Sequence, residues 1–128
     1  MQPLIDSHIV VAIADERRAD LPTKILRVLN DPANTLLVSV ASLWEIAIKV
    51  RLGKLSMSTP LDGLPALCAV MPAGLMRIEP NHVLAALDVS PPTRDPFDRL
   101  LLAQCQCDGL RLVTLDRALA SHPLAAQP

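Results

Sequence analysis

The run Leu36-Leu37-Val38-Ser39-Val40 and the segment 41–52 that follows it decide the fold class of this chain. The run is rich in β-formers, apolar and without polar alternation, which is typical of a strand covered on both faces. The segment after it predicts a helix that Gly53 closes. A doubly covered strand that leads directly into a helix indicates a parallel sheet with helices packed against it.

Strands and helices alternate in the same way before and after this unit. Further strands are predicted at residues 3–5, 75–78 and 110–114, with a short edge strand at residues 123–126. Helices are predicted at residues 9–14, 21–29 and 81–87; another opens at residues 59–62, and the longest runs from 95 to 107 and ends at Gly109. The expected fold is α/β, a three-layer α/β/α sandwich with a mostly parallel central sheet.

Composition and charge are those of one compact domain over residues 1–128, because 51% of the residues are hydrophobic and only four are glycine. The formal net charge of −1 provides no long-range attraction to nucleic acid, so such binding needs a local basic patch or bound metal. Residues 1–6 lack the features of a secretory signal, and no apolar stretch approaches the roughly 20 residues of a spanning helix. A cytoplasmic location is expected.

Four acidic residues, Asp6, Glu45, Asp98 and Asp116, lie at strand-to-helix junctions or at the start of a helix. In a parallel α/β sheet such junctions share one edge, so these carboxylates are expected to meet there. Carboxylates held close together repel one another unless they share a proton or bind a hard cation such as Mg²⁺, which prefers oxygen ligands. The pattern therefore predicts metal-dependent phosphodiester chemistry.

Each acid also has a purely local explanation, helix capping. Ser42 and Glu45 fit a capping box, and Glu45 also has Lys49 one turn later. Asp95 before proline is a good N-cap that leaves Asp98 at the third helical position, where the helix dipole favours a carboxylate. The first and last of the four acids can cap the helices that follow them. Capping is favoured for each acid alone, but their shared position at one sheet edge favours a cation site.

The sequence around these acids resembles a known family. The resemblance rests on Leu4-Ile5-Asp6-Ser7-His8, Ala41-Ser42-Leu43-Trp44-Glu45-Ile46, Arg94-Asp95-Pro96-Phe97-Asp98-Arg99-Leu100-Leu101 and Leu112-Val113-Thr114-Leu115-Asp116-Arg117-Ala118. These strings look like the four signature segments of PIN-domain proteins, specifically the VapC-type toxins of prokaryotic toxin–antitoxin pairs. Departures are Ser7 for the usual threonine, Thr93 for a frequent histidine, and an end that lacks the usual last apolar strand.

The resemblance implies a Mg²⁺- or Mn²⁺-dependent ribonuclease that forms a homodimer and is inhibited by a small cognate antitoxin. Asp6, Glu45 and Asp98 match the three core acids, and Asp116 matches the more variable fourth. Asp6 and Asp98 are expected to contact metal directly, and Asp116 to act through a water in the outer shell. Glu45 either binds metal or orients the attacking water, which the metal activates.

Other candidate residues have weaker signals. Supporting roles fall to Ser7, Asp95 and Thr114, although local caps explain such residues equally well. Candidate contacts to RNA phosphates, which are otherwise solvated surface charges, are Lys49, Arg51, Lys54, Arg94 and Arg99. Structural roles are expected for His8, His82, His122, Trp44 and, as reduced core thiols without zinc-binding spacing, Cys68, Cys105 and Cys107.

Two other classes of protein also use acidic residues with Mg²⁺. A haloacid-dehalogenase-like phosphatase would need a second aspartate two residues after Asp6, where this chain has His8. A receiver-like signalling module would need paired acids near the first strand and a lysine after the last, and both are missing. A degenerate PIN fold that only binds proteins, or another Mg²⁺-dependent phosphoryl hydrolase, remains the alternative.

Overall fold

The computed structural model describes residues 2–70 and 74–127. The strands in these residues are β1 (Pro3–Ile5), β2 (Leu37–Ser39), β3 (Leu75–Met76) and β4 (Arg111–Val113). The α-helices are α1 (Ser7–Ala14), α2 (Thr23–Asn30), α3 (Val40–Arg51), α4 (Leu64–Ala69), α5 (Pro80–Leu84), α6 (Pro96–Asp108) and α7 (Arg117–Ala120). Two short 3-10 helices lie at Arg18–Asp20 and Leu61–Gly63.

The four strands form one sheet in the order β3-β2-β1-β4, and every pair is parallel. The chain builds outward from β1 to β3 on one side and then returns to place β4 on the other side of β1. This reversal puts a topological switch point at the carboxyl end of β1, where open α/β sheets bind their ligands. The predicted edge strand at 123–126 is reduced to one parallel bridge between Leu112 and Ala125.

Two apolar cores lie on opposite faces of the sheet. Ile5, Val38 and Val113 face one core, which also contains buried side chains from α1, α2 and α4. Leu4 and Leu112 face the other, together with side chains from α6 and α7. Each fully buried Leu, Ile or Val contributes about 1.5 to 3 kcal/mol to folding. Helices on both faces of a parallel sheet confirm the predicted α/β/α sandwich.

The junction between β2 and α3 differs from the sequence prediction. Val40 was expected at the end of the strand, but it is the first residue of α3, because the Ser39 hydroxyl accepts a hydrogen bond from the Ala41 N–H at 3.0 Å and caps the helix there. The capping box predicted for Ser42 and Glu45 is therefore wrong. The buried Ser42 hydroxyl has no hydrogen-bond partner among the described residues, and Glu45 is left for partners outside the helix start.

Elements in the second half are shorter than predicted. The third strand ends at Met76 rather than at residue 78, and the helix expected from residue 59 begins as α4 only at Leu64. The helix predicted at 81–87 runs from Pro80 to Leu84 instead, and a side chain from α6 holds the backbone beyond it. Gln106 on α6 donates to the Ala86 carbonyl at 3.0 Å and accepts from the Asp88 N–H at 2.9 Å.

The longest helix agrees with its predicted capping. Asp95 caps α6 by accepting hydrogen bonds from the Phe97 and Asp98 N–H groups at 2.8 and 3.2 Å. Gly109 ends the helix in the left-handed conformation, with φ of 68°. In the described residues, no helix is both long and apolar enough to cross a membrane.

The cysteine prediction holds for two residues of three. Cys68 and Cys105 are buried free thiols, and burial raises the pKa of the Cys105 thiol to about 12. Cys107 is exposed, so its assignment to the core was wrong. It lies two residues after Cys105 on α6, and positions two apart on a helix face different directions.

Candidate active site

The carboxyl edge of the sheet carries a cleft of about 120 Å³ that contains all four predicted acids. We call it the acidic cleft, and it is lined by Asp6, Ser7, His8, Glu45, Lys49, Asp95, Asp98 and Asp116. Asp6 directly follows β1, and Asp116 lies just beyond β4. Glu45 comes from α3, which follows β2, and Asp98 from the first turn of α6. Four elements distant in sequence thus bring their carboxylates to one place.

Asp6 and Asp116 are helix caps as well as walls of the acidic cleft. The Asp6 carboxylate accepts from the Ile9 N–H at 3.3 Å at the start of α1, and that of Asp116 accepts from the Ala118 N–H at 2.9 Å at the start of α7. Each cap uses one carboxylate oxygen. Capping and ligand binding are therefore compatible at these two positions.

Glu45 is held by two side chains. It is buried, with 5% of its surface exposed. The Ser7 hydroxyl donates to Oε1 at 2.6 Å, and the Lys49 ammonium donates to Oε2 at 2.7 Å. The expected pairing of Glu45 with Lys49 is present, and Ser7 supports the carboxylate from the first residue of α1. Both oxygens of Glu45 are thereby fixed in orientation.

Asp98 is positioned by the loop that precedes α6. The Thr93 hydroxyl lies 3.4 Å from Asp98 Oδ2 and accepts from the Asp95 N–H at 3.0 Å. Arg99 Nε donates to the Thr93 carbonyl at 3.0 Å and so fixes the same loop. Thr93, which the sequence marked only as a departure from the family pattern, thus contacts one of the acids directly.

Negative charge is concentrated in the acidic cleft, where some of the carboxylates are partly or largely buried. Burial, followed by the charges of Asp95, Glu45 and Asp116, raises the pKa of Asp98 from 3.8 to about 6. Burial also raises the pKa of Asp6 above its ordinary value, and a hydrogen bond from Thr114 opposes that shift. The hydrogen bond to Glu45 raises the pKa of Lys49 and keeps it charged. Carboxylates that resist ionisation in this way are typical of sites that bind a cation or exchange protons.

The chemistry of the acidic cleft fits a hard divalent cation. Its donors are carboxylate and hydroxyl oxygens, which Mg²⁺ prefers. Five carboxylates, from Asp6, Glu45, Asp95, Asp98 and Asp116, face the single ammonium of Lys49. In residues 2–70 and 74–127, no three His, Cys, Asp or Glu side chains converge closely enough to form a complete metal-binding group. Magnesium often keeps several waters and uses only one or two carboxylates, and the charge excess here is what a cation would offset.

The basic residues predicted to contact RNA divide into two groups. Lys49 lines the acidic cleft, and Arg94 is exposed immediately before Asp95 at its edge. Arg99 is half-buried, and its guanidinium holds the loop at Thr93 and Ser90. Arg51 and Lys54 are exposed at and beyond the far end of α3 and are not among the residues that line the cleft.

Two residues do not have the structural roles that the sequence suggested. His8 is exposed and lines the acidic cleft. Its position two residues after Asp6, in the first turn of α1, was the available signal. Trp44 was expected in the core but is 59% exposed, and it packs edge-to-face on Phe97 with ring centroids 5.4 Å apart. By contrast, His82 and His122 are buried and hydrogen-bonded, as expected.

The sequence of the chain is similar to a known protein family. A family model described as the PIN domain matches residues 4–123 of the chain. The matched segment contains every residue that lines the acidic cleft. No curated protein matches the sequence.

Proposed function

The chain belongs to the PIN domain family, whose members are typically metal-dependent nucleases, and on that premise we propose that it is a Mg²⁺- or Mn²⁺-dependent endoribonuclease. The observation that carries the proposal is the convergence of Asp6, Glu45, Asp98 and Asp116 on one cleft with an excess of negative charge. When bound, the metal supplies a water activated at neutral pH and a positive charge near the leaving oxygen.

Asp6 and Asp98 are the residues proposed to hold the metal directly. Burial raises the pKa of both carboxyl groups, and a nearby cation favours their ionised form. Asp116, unlike Asp6, is exposed to solvent, so it is proposed to act through a water. Asp95 adds charge next to Asp98 and fixes the start of α6.

Glu45 is proposed to orient the attacking water. Its two oxygens are fixed by Ser7 and Lys49, and a fixed carboxylate acts as an acceptor of defined direction. The Lys49 ammonium, still free to donate elsewhere, faces the same cleft and is suited to a phosphate oxygen of the substrate. His8 and Arg94, at the rim, are further candidates for phosphate contact.

The resemblance to VapC-type proteins supports a finer proposal, that the chain is the toxin of a type II toxin–antitoxin pair and acts as a homodimer. A specific observation favours a protein partner. A groove of about 780 Å³ runs along α3 beside Trp44 and Leu43 and is largely apolar. The exposed Trp44 is the kind of residue that anchors protein interfaces.

Growth of cells that express the chain tests the toxin proposal. Expression should arrest growth, and co-expression of the product of an adjacent small reading frame should relieve the arrest. If Asp98→Asn arrests growth as well, the chain is not a nuclease toxin.

Metal dependence of RNA cleavage tests the main proposal. The purified protein should cleave single-stranded RNA with Mg²⁺ or Mn²⁺ and lose all cleavage in excess EDTA, because the water is activated by the metal. Asp98→Asn should lose cleavage, whereas Asp62→Asn, a matched change at an exposed acid outside the acidic cleft, should retain it. Undiminished cleavage in EDTA would exclude the mechanism.

Metal binding measured without RNA separates the enzyme from a fold that only binds proteins. A ligand bound only by the folded state raises the melting temperature. Mg²⁺ should therefore raise the melting temperature of the wild type and of Asp62→Asn, and much less that of Asp98→Asn. Equal responses in all three proteins would indicate that the acids are independent helix caps.

A further inference from the structure

A second cavity, of about 270 Å³, lies at the carboxyl end of β4. We call it the β4 cavity. Its lining comes from the end of β4, the start of α2 and the segment around α7 and the tail, namely Pro22, Lys24, Ile25, Val113, Thr114, Leu115, Ala120, Ala126 and Gln127. None of these residues lines the acidic cleft, so the cavity is a separate space.

The β4 cavity and the acidic cleft share a wall. The Asp6 N–H donates to the Val113 carbonyl at 3.1 Å, and the Asp116 N–H donates to the Thr114 hydroxyl at 3.0 Å. Asp6 and Asp116 line the cleft, whereas Val113 and Thr114 line the cavity. The two spaces are therefore adjacent at the same edge of the sheet, as binding sites for successive units of one polymer would be.

The lining of the β4 cavity is apolar with a polar rim. Ile25, Val113 and Leu115 provide apolar surface, and Leu115 is 38% exposed although it is a large apolar side chain. Lys24 is exposed and supplies a cation at the edge. Gln127 is also exposed there, but its amide nitrogen already donates to the Ala120 and Ala125 carbonyls at 2.9 and 3.4 Å. Apolar walls with a few polar groups are typical of small-molecule sites, whose volumes are about 300 to 1,000 Å³. At about 270 Å³ the β4 cavity is just below that range and has room for one small group. The apolar walls suit one partly apolar group, and the exposed Lys24 suits an adjacent anion.

We propose that the β4 cavity binds one nucleoside of a single-stranded RNA, next to the phosphodiester held in the acidic cleft, with Lys24 contacting the flanking phosphate. The inference rests on the proposed ribonuclease function and adds a position for the substrate. Single-stranded RNA is the form whose bases can leave the stack and enter a pocket. The cavity is too small for a base pair with its backbone, so paired RNA is excluded from this subsite.

Three variants test the proposed phosphate contact, the cavity itself and a control position. Lys24→Ala removes the proposed phosphate contact, and Arg27→Ala removes a cation from the same helix outside the cavity lining. Ala120→Leu fills the cavity from an exposed position without a change of charge. Binding of a short single-stranded RNA is measured by fluorescence anisotropy in EDTA at several salt concentrations, so that no cleavage occurs. The acidic cleft then repels phosphate to the same extent in every protein, so differences in affinity between the variants and the wild type report on the β4 cavity.

Each variant has its own expected signature. Lys24→Ala should weaken binding and reduce the slope of log K against log salt by about 0.7, the value for one contact on a single strand. Ala120→Leu should weaken binding by about tenfold at an unchanged slope, because it removes base contacts and no phosphate contact. Arg27→Ala should match the wild type. Titration with uridine or adenosine 5′-monophosphate should shift the amide resonances of Leu115, Ala120 and Gln127.

These outcomes also separate this inference from the proposed function. If Lys24→Ala and Ala120→Leu bind RNA as the wild type does, or if nucleotide shifts occur only around the acidic cleft, the β4 cavity is not the subsite, whatever the activity. If the wild type cleaves no RNA with Mg²⁺, the proposed function fails, and the metal-free titrations still report on the cavity. Should Ala120→Leu fail to fold, the Lys24 variant and the titration decide the question.

Discussion

Glu45 shows at the scale of one residue how the chain stabilises a buried charge. A carboxylate taken out of water is costly unless it is paired and hydrogen-bonded. Lys49, one turn later on α3, supplies the charge, and Ser7 supplies a hydroxyl from α1. The contact to Ser7 joins α1 to α3 across 38 positions of sequence, so the site and the packing of two helices depend on the same hydrogen bond.

Removal of one partner of this pair should cost more than removal of both. Lys49→Met leaves Glu45 buried without its cation, and breaking such a pair is strongly destabilising. Adding Glu45→Gln should restore part of the loss, with a coupling free energy of about 1 to 3 kcal/mol between the two positions. Urea denaturation of the two single variants and the double variant completes the cycle. Strictly additive effects would contradict the pairing.

The sequence predicted some of these contacts and not others. The pairing of Glu45 with Lys49 follows from helical spacing alone. The contact with Ser7 depends on how α1 packs on α3, which no local pattern encodes. The same reason explains why His8 was missed, since its neighbours come from other elements. The four acids themselves were predicted together because the parallel topology, rather than local spacing, places them at one edge.

Helix ends determine where the site residues lie at the scale of elements. The sequence predicted the caps of α6 at both ends, because an aspartate before proline and a glycine after the last turn are strong local signals. The sequence-based prediction was wrong at the start of α3, because both Ser39 and Ser42 are suitable caps and they lie in adjacent turns. The strand Leu37–Ser39 decides between them, since its pairing with β1 and β3 fixes where extended backbone ends.

Gly109 tests the end of α6 directly. Its φ of +68° lies in the left-handed region, while a Cβ at this position would meet no atom within 4 Å. Gly109→Ala should therefore cost about 1 to 2 kcal/mol of unfolding free energy from backbone strain alone. Gly63→Ala is the matched control, because its added Cβ makes only an ordinary contact of 3.5 Å with Thr59 and needs no left-handed backbone. Equal stabilities of the two variants in urea denaturation would contradict this account.

Stability of the whole molecule should depend on pH through Asp98. Its pKa is raised from 3.8 to about 6 in the folded protein, so between these values the folded state binds more protons than the unfolded one. The contribution of Asp98 to the free energy of unfolding therefore falls as pH rises from about 4 to about 6, and it stays at the lower value above pH 6. Asp98→Asn should be more stable than the wild type at about pH 7.5 in EDTA, and its advantage should shrink at about pH 5.

Urea denaturation of both proteins at the two pH values measures this difference. Asp62→Asn, at an exposed position, controls for a general loss of negative charge. The opposite order, with the wild type more stable than Asp98→Asn at the higher pH, would mean that the helix dipole outweighs repulsion within the acidic cleft.

Because β4 follows β3 along the chain but pairs with β1, the acidic cleft cannot form until β4 has joined the sheet. β4 completes the sheet beside β1, and Asp98 and Asp116 belong to the last elements along the chain. During synthesis, residues up to β3 can form only one side of the sheet, so Asp6 and Glu45 stand without their counterparts. In the proposed ribonuclease, the carboxylates of the acidic cleft can therefore come together only after α6 and β4 have been synthesised.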